Sequence, residues 1–314
     1  MKRYLNFLWP VIGLGAVALS LWLLFRELHH DDVTLDKVGA AFAAIPAGRW
    51  VLAVISTLVA YAALAWYDRI ALFHLGFSLS WRFISAVSFT TYALSHNIGM
   101  SMFSGAMVRY RAYSTKGLTV GDVGVLVAFC SFTFALGTVL LGGVVLTFEP
   151  DITARLFQFE PWLARLAGLA MLLFVALYIG GAALHLRPLV IGTFKLVYPR
   201  LPVAARQLLA GPLELLGAAG IIWCALPAEH NPGFFIVLGV FLASFSAALL
   251  SHAPGGLGVL EFVFVKALPD APPQDVVAAL LVFRLLYLVI PLLLGIVCVV
   301  LFERGRLVRQ PALE

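Results

Sequence analysis

The sequence has little charge. Of its 314 residues, 12% are Asp, Glu, Lys or Arg, whereas a soluble domain has about 25%. Apolar residues make up 62%, well above the roughly 45–50% of a soluble domain. These two shares exclude a water-soluble globule and a disordered chain. They predict a polytopic integral membrane protein of the all-α class.

Cysteine is also scarce. The three cysteines, Cys130, Cys224 and Cys298, lie inside apolar stretches and show no CxxC spacing, so neither a disulfide framework nor a metal site is indicated. No GxxxxGK[ST], HExxH or nucleophile-elbow motif occurs, and we expect no cofactor and no enzyme activity. The net charge of +5 comes from short clusters between apolar stretches, which is typical of membrane-protein loops and not of nucleic-acid binding.

Long apolar stretches dominate the chain. A helix needs about 20 apolar residues to cross the hydrocarbon core of a bilayer. Two stretches, 82–110 and 233–268, are interrupted near their middle by polar residues and glycine, at 95–99 and 251–256. The uninterrupted stretches predict six full spans, near 5–27, 50–76, 118–148, 162–185, 207–228 and 276–302.

The charges predict how the two interrupted stretches run. Lys and Arg cluster on the cytoplasmic side of membrane proteins. If each interrupted stretch is a re-entrant helical hairpin, the two hairpins enter from opposite sides, and both termini are cytoplasmic. The basic segments 109–116 and 186–206 then lie inside, while the more acidic loops 26–49 and 149–161 lie outside.

The two hairpins also indicate an internal repeat. Residues 93–99 (ALSHNIG) and 249–255 (LLSHAPG) share the pattern Leu-Ser-His-x-x-Gly. Because one hairpin enters from each side, the units 50–148 and 207–303 would be inverted repeats within a single transmembrane domain, 1–314. Transporters of this design place their substrate site between the repeats, at broken helices near the midplane.

Polar groups at membrane depth are the candidate site residues, because they are costly there and most often functional. Glu214 follows Pro212 inside a span, and Arg284 is at mid-depth, where a carboxylate partner would offset part of its desolvation cost. The alternative interpretation is a buried ion pair that only fixes helix packing. The candidates at the hairpin breaks and inside spans are Ser95, His96, Asn97, His252, Gly255, Gly256, Glu261, Asp68, Glu214 and Arg284.

Arg109 and Arg111, with Tyr110 and Tyr113, complete the set. The spacing predicts a basic and aromatic cluster at the cytoplasmic mouth, which would attract anionic lipid or hold a phosphate. For Ser95 and His96 the alternative is that they only satisfy loose backbone carbonyls.

Several of these segments resemble one known family. They are Trp66–Leu72, Tyr92–Gly99, Ser104–Ser114, His252–Glu261 and Arg284–Pro291. Together they resemble the lysylphosphatidylglycerol synthase transmembrane region, which includes the N-terminal flippase region of the bacterial multiple peptide resistance factor. The resemblance extends over nearly the whole chain.

The resemblance implies a bacterial inner-membrane protein that moves an aminoacylated phospholipid such as lysyl-phosphatidylglycerol to the outer leaflet, which repels cationic antimicrobial peptides. It implies roles for Asp68, Arg109, Arg111, Glu261 and Arg284. Its implied partners are membrane phospholipids, a separate aminoacyl-lipid synthase and a second copy of the chain. We expect no cytosolic synthase domain in 1–314. The alternatives are an inverted-repeat transporter of a small solute or ion, and a non-transporting subunit of a lipid-modifying system.

Overall fold

The computed structural model of the protein describes residues 34–98, 101–153, 160–184, 189–191, 194–196, 199–251 and 254–309. Nearly all of this is helix, as predicted, and two three-residue strands, β1 (Leu189–Ile191) and β2 (Phe194–Leu196), pair antiparallel in the basic segment 186–206. The helices are α1 (Leu35–Ala43), α2 (Ala47–His74), α3 (Trp81–Ile98), α4 (Ser101–Tyr113), α5 (Val120–Phe148), α6 (Pro161–Ala183), α7 (Leu201–Ala225), α8 (Phe234–Ser251), α9 (Val259–Ala267), α10 (Pro273–Phe283) and α11 (Ile290–Arg309).

Short turns of other helix types join some of these helices. A π turn, Arg284–Val289, connects α10 to α11 without interruption. Pro291 follows this turn and has no N–H to give to the carbonyl of Tyr287, four residues before it. Three-residue 3-10 turns lie at Ser114–Lys116, Ala228–His230 and Pro254–Gly256.

Six helices in the described part of the chain are long and apolar enough to cross a membrane: α2, α5, α6, α7, α8 and the joined α10–α11. This confirms five of the predicted spans, whereas the predicted span 5–27 lies outside the described residues. The sixth is α8, the first limb of the predicted second hairpin, which has 18 residues. The re-entrant path of that hairpin therefore stays a prediction.

Both interrupted stretches form pairs of helices that pack against each other. Helices α3 and α4 form the first pair, and α8 and α9 form the second. The second pair turns at Gly255, Gly256 and Gly258, whose φ angles of 58°, 64° and 78° are in the left-handed region that glycine adopts readily. Helix α3 contacts the Pro254–Gly256 turn, so the break in the second stretch lies against the first pair of helices.

Helix α1 lies within the segment predicted as an outer loop, 26–49. Thr34 precedes it, and its hydroxyl accepts a hydrogen bond from the backbone N–H of Lys37 at 3.4 Å. Such a cap satisfies one of the free N–H groups at a helix start. The helix packs against α10.

Small residues bring the central helices close together. Helices α2 and α7 pack most extensively, and a Cβ at Gly217 would lie 2.8 Å from the backbone N of Ala60. Helices α5 and α7 cross at Gly137 and Gly211. Close backbone approach through small residues is how membrane helices associate without a hydrophobic driving force between them. Helix α7, which carries Glu214, is consequently the most buried of the spanning helices.

The α5–α7 crossing gives a first testable prediction. A Cβ on Gly137 would lie 2.8 Å from the Cα of Gly211, so we expect Gly137→Ala to lower the free energy of unfolding by about 1–3 kcal/mol. Gly124→Ala, on the same helix with no atom within 4 Å, should leave it unchanged or raise it. Denaturation of both variants in detergent measures the difference. Equal effects in the two variants would contradict this account of the crossing.

Candidate functional site

Asp68 and Arg109 form a buried ion pair between α2 and α4. Arg109 donates from Nε to Asp68 Oδ2 at 3.2 Å and from Nη2 to Oδ1 at 2.7 Å. The two side chains are 0% and 5% exposed. A bidentate pair of this kind is among the strongest hydrogen-bonded contacts available to a carboxylate.

Three further side chains surround this pair. Tyr113 donates its hydroxyl to Asp68 Oδ2 at 2.8 Å, and Cys130 Sγ lies 3.5 Å from Oδ1. The guanidinium of Arg109 lies 4.8 Å from the centre of the Tyr92 ring, within range of a cation–π interaction. A pair with these contacts connects α2 to α4 inside the bundle.

The predicted basic and aromatic cluster at the cytoplasmic mouth was therefore wrong in its arrangement. Arg109 and Tyr113 are buried, whereas Tyr110 and Arg111 are exposed. Residues one or two positions apart on a helix do not share a face. The four side chains are accordingly divided between the bundle interior and its surface.

Glu261 and Arg284 form a second pair, at the turn of the second helix pair. Arg284 Nε donates to Glu261 Oε1 at 2.6 Å. The same guanidinium donates to the carbonyl of Gly255 at 2.8 Å and to that of Gly256 at 3.3 Å. Glu261 Oε2 accepts from the backbone N–H of Gly258 at 2.9 Å. The carboxylate partner predicted for Arg284 is thus Glu261, and the pair holds the glycine turn from both of its ends.

Glu214 lies in the middle of α7 with one hydrogen bond. Tyr287, on the π turn, donates its hydroxyl to Glu214 Oε1 at 2.6 Å. The other carboxylate oxygen is buried and has no hydrogen-bond partner among the residues that the structure describes. Glu214 as a whole is 2% exposed. A buried carboxylate oxygen without a partner is costly, so this is the most exceptional acidic group of the described bundle.

His96 lies on the other side of Tyr287. The two rings stack, with centroids 5.4 Å apart and an angle of 19° between their planes. His96 Nδ1 is buried and, within the described ranges, has no hydrogen-bond partner. Tyr92, one turn earlier on α3, lies 5.5 Å from His96. His96 therefore connects the surroundings of Arg109 to those of Glu214.

Ser95 and Asn97 follow the alternative interpretation, in which the side chain satisfies backbone carbonyls. Ser95 is buried, and its hydroxyl donates to the carbonyl of Tyr92 at 3.5 Å. Asn97 Nδ2 donates to Ala93 in its own helix at 2.8 Å and to Leu288 on the π turn at 3.1 Å. The end of α3 is thereby fixed to the π turn. His252 lies outside the described residues.

The structure brings most of the predicted residues into one connected region. Asp68 bonds Arg109, Arg109 contacts Tyr92, Tyr92 contacts His96, and His96 contacts Tyr287. Tyr287 bonds Glu214 and lies three residues after Arg284, which holds Glu261, Gly255 and Gly256. We call this region the polar chain, and it consists of Asp68, Arg109, Tyr92, His96, Tyr287, Glu214, Arg284, Glu261, Gly255 and Gly256.

Three tyrosines are functional neighbours that the sequence reasoning missed. Tyr92 and Tyr287 join the members of the polar chain, and Tyr61 donates its hydroxyl to the carbonyl of Tyr287 at 2.9 Å, the carbonyl that Pro291 leaves free. Their positions did offer a signal. Tyr92 is four residues before His96 and Tyr287 is three after Arg284, and both spacings place side chains on one helix face.

No group of three or more His, Cys, Asp or Glu that could hold a metal ion occurs in the part of the chain that the structure describes. The polar chain is an array of paired charges, hydroxyls and aromatic rings inside a membrane bundle. Such an array can replace part of the hydration of a charged group.

Comparison with known proteins shows which family this chain belongs to. The model of the lysylphosphatidylglycerol synthase transmembrane region matches residues 10–295. The chain belongs to this family. The resemblance stated from the residues alone is thereby confirmed, and the match contains every member of the polar chain.

Members of the family differ in length and in name. The chain is 32% identical to "Uncharacterized protein slr0712" of Synechocystis over 288 residues, which are 90% of this chain and 87% of the relative. It is 34% identical to "Inner membrane protein YbhN" of Escherichia coli over 251 residues, 78% of this chain and 77% of the relative. It is 24% identical over 300 residues to "Phosphatidylglycerol lysyltransferase" of Staphylococcus haemolyticus, and this match covers 91% of the chain and 33% of that longer protein.

Proposed function

We propose that the protein moves a phospholipid between the leaflets of a bacterial cytoplasmic membrane. The substrate is an aminoacylated phospholipid such as lysyl-phosphatidylglycerol, and the direction is from the inner to the outer leaflet. Membership of the family and the lysyltransferase named among the relatives support the class of lipid. A separate aminoacyl-lipid synthase would supply it.

The observation that carries the proposal is the polar chain. A charged headgroup that enters hydrocarbon loses its hydration at a cost of several kcal/mol per charge. The polar chain runs between the ends of two broken helices, where such groups are found in transporters with inverted repeats. It offers carboxylates for an amine and guanidinium groups for a phosphate, while the acyl chains stay in lipid.

Within the polar chain, Glu214 is the best candidate to bind the amine of the headgroup. One of its oxygens is engaged by Tyr287 and the other is not engaged by any described residue. Asp68, by contrast, already has Arg109, Tyr113 and Cys130 as partners. We assign the Asp68–Arg109 pair to support of the site. Arg284, with Glu261, would present to phosphate the N–H groups for which no described residue is an acceptor.

Exchange of labelled lipid between leaflets tests the proposal. The protein is reconstituted in vesicles with headgroup-labelled lysyl-phosphatidylglycerol or phosphatidylglycerol, without ATP, and a membrane-impermeant quencher reports the accessible fraction. We expect the protein to accelerate exchange of the lysyl lipid at least about tenfold over empty vesicles. Glu214→Gln should abolish this acceleration, because an amide cannot pair with an amine as an anion does.

Glu229→Gln is the matched control, since Glu229 is exposed in the turn between α7 and α8. It should exchange lipid at the wild-type rate. Unchanged exchange in Glu214→Gln would refute the role of this residue. If neither lipid exchanges faster than in empty vesicles, lipid translocation itself is refuted.

A second candidate function is transport of a small solute or ion, and one observation favours it. Glu214 and Tyr287 are 2% and 0% exposed, so the centre of the polar chain is closed even to water in this conformation, and a small solute or ion would need a smaller opening there than a lipid headgroup. Uptake of a water-soluble lysine ester into the same vesicles, without lipid exchange, would support this candidate.

A further inference from the structure

A cavity outside the polar chain lies between α5, α6 and α8. Its volume is about 530 Å³, and Ile152 and Thr153, which follow α5, also line it. Among its walls are Thr138 on α5, Met171 on α6 and Leu242 on α8. None of the polar-chain residues lines it.

The walls of this cavity present carbon atoms. The hydroxyl of Thr138 donates to the carbonyl of Phe134 at 3.0 Å, and that of Thr153 donates to the carbonyl of Pro150 at 2.8 Å. The hydrogens of these two lining hydroxyls are thus used within the protein, which leaves Ser246 on α8 as a single further hydroxyl among the described residues of a wall that is otherwise apolar. Water is held in a cavity only where it finds two or more polar partners, so these walls suit an apolar occupant.

The location of the cavity indicates what that occupant is. All three helices around it are long and apolar enough to cross a membrane, and the medium around such helices is lipid acyl chains. Leu163 lines the cavity and is 43% exposed. The cavity therefore lies beside the outer face of the bundle, where an acyl chain can enter sideways.

Charged residues are close in sequence to the lining residues Ile152, Thr153 and Leu163. Glu149 and Asp151 precede the first two, while Glu160 precedes Leu163, and Arg165 is exposed on the first turns of α6. Trp162, beside Leu163, is exposed, and tryptophan at this position is typical of the membrane–water interface. Carboxylates and a guanidinium together complement a headgroup that carries both an amine and a phosphate.

We propose that this cavity binds one acyl chain of a membrane phospholipid, with the headgroup at the charged rim of Glu149, Asp151, Glu160 and Arg165. The inference of an acyl-chain site depends only on the cavity and its walls. The preference for an amine-bearing headgroup rests on the proposed function, and it makes the cavity a holding site for the translocated lipid at the end of its path.

Photo-crosslinking tests the site without reference to transport. The protein is placed in lipid nanodiscs that contain phosphatidylglycerol with a diazirine on one acyl chain, and adducts are mapped by mass spectrometry. We expect adducts concentrated on cavity residues such as Met171 and Leu242. Adducts spread evenly over the lipid-facing residues of α5, α6 and α8 would refute the site.

Two exposed alanines of α6 provide a matched pair of variants. Ala167 lines the cavity and Ala170 does not. We expect Ala167→Phe to lower the yield of cavity adducts at least about tenfold by filling the space, and Ala170→Phe to leave it unchanged. Ala243→Phe fills the cavity from α8 and covers the case in which Ala167→Phe fails to fold. If the wild-type protein is a dimer and Ala167→Phe loses the dimer but keeps the lipid adducts, a second copy of the chain occupies the cavity. That result would overturn the proposal.

The headgroup preference is tested by repeating the crosslinking experiment with a lysyl-phosphatidylglycerol probe. We expect a higher adduct yield than with phosphatidylglycerol, and loss of that preference in Asp151→Asn. Cavity adducts without any headgroup preference would retain the acyl-chain site and refute the amine-bearing ligand.

Discussion

Asp68→Ala is expected to lower the free energy of unfolding by about 3–5 kcal/mol, because removal of one partner leaves a buried charge without compensation. Arg109 is 4% exposed and has two hydrogen bonds to Asp68. Tyr113 loses its acceptor at the same time. Denaturation in detergent, followed by tryptophan fluorescence, measures the loss.

A double replacement shows whether the loss comes from the unpaired charge. Asp68→Leu with Arg109→Met should recover much of the stability, since apolar residues of similar volume often replace a buried ion pair at little cost. Asp36→Ala, at an exposed site on α1, serves as the control and should leave stability unchanged. A loss below about 1 kcal/mol in Asp68→Ala, the size expected for an exposed pair, would show that the pair is not buried as described.

Arg284→Gln is expected to release the glycine turn at residues 254–258. The guanidinium bonds Glu261 and the carbonyls of Gly255 and Gly256, and each hydrogen bond to a charged group contributes about 1.5–3 kcal/mol. Backbone amide hydrogens in 254–261 should therefore exchange at least about tenfold faster. Hydrogen exchange followed by mass spectrometry measures this region directly.

Arg165→Gln is the matched control for that experiment, since Arg165 is an exposed arginine on α6. It should leave exchange in 254–261 unchanged. Faster exchange over the whole bundle in Arg284→Gln would mean that the arginine supports the fold at large. Unchanged exchange in 254–261 would contradict its hold on the turn.

The spans could be predicted from the sequence because lipid allows few solutions. A backbone in hydrocarbon must satisfy its own hydrogen bonds, so an apolar stretch of sufficient length becomes a helix. Glycine and polar residues at 251–256 likewise marked the second break. In the first stretch residues 95–98 still belong to α3, and positions 99–100 between α3 and α4 lie outside the described residues. The depth to which each helix pair enters the membrane could not be predicted from the sequence, since α8 has enough apolar residues to cross the membrane alone.

The charged residues of the polar chain could be predicted better than their contacts. Glu214, Glu261, Asp68 and Arg284 were found because a charge inside an apolar stretch is rare and costly. Their pairing depends on which helices approach each other, and that information lies in small-residue contacts such as Gly137 with Gly211. The tyrosines gave no charge signal, although they connect the polar chain.

The π turn at Arg284–Val289 has a consequence for the helix that follows it. Ile290 donates its N–H to Leu285, five residues back, so this turn contains more residues than an α-helical turn. One extra residue rotates everything after it by about 100°. The α10 side chains Leu280 and Phe283 face the bundle, while Leu293, Val297 and Leu301 of α11 are exposed. The insertion thus acts as a phase shift, through which one continuous helical segment changes from an interior face to a lipid-facing one without an intervening loop.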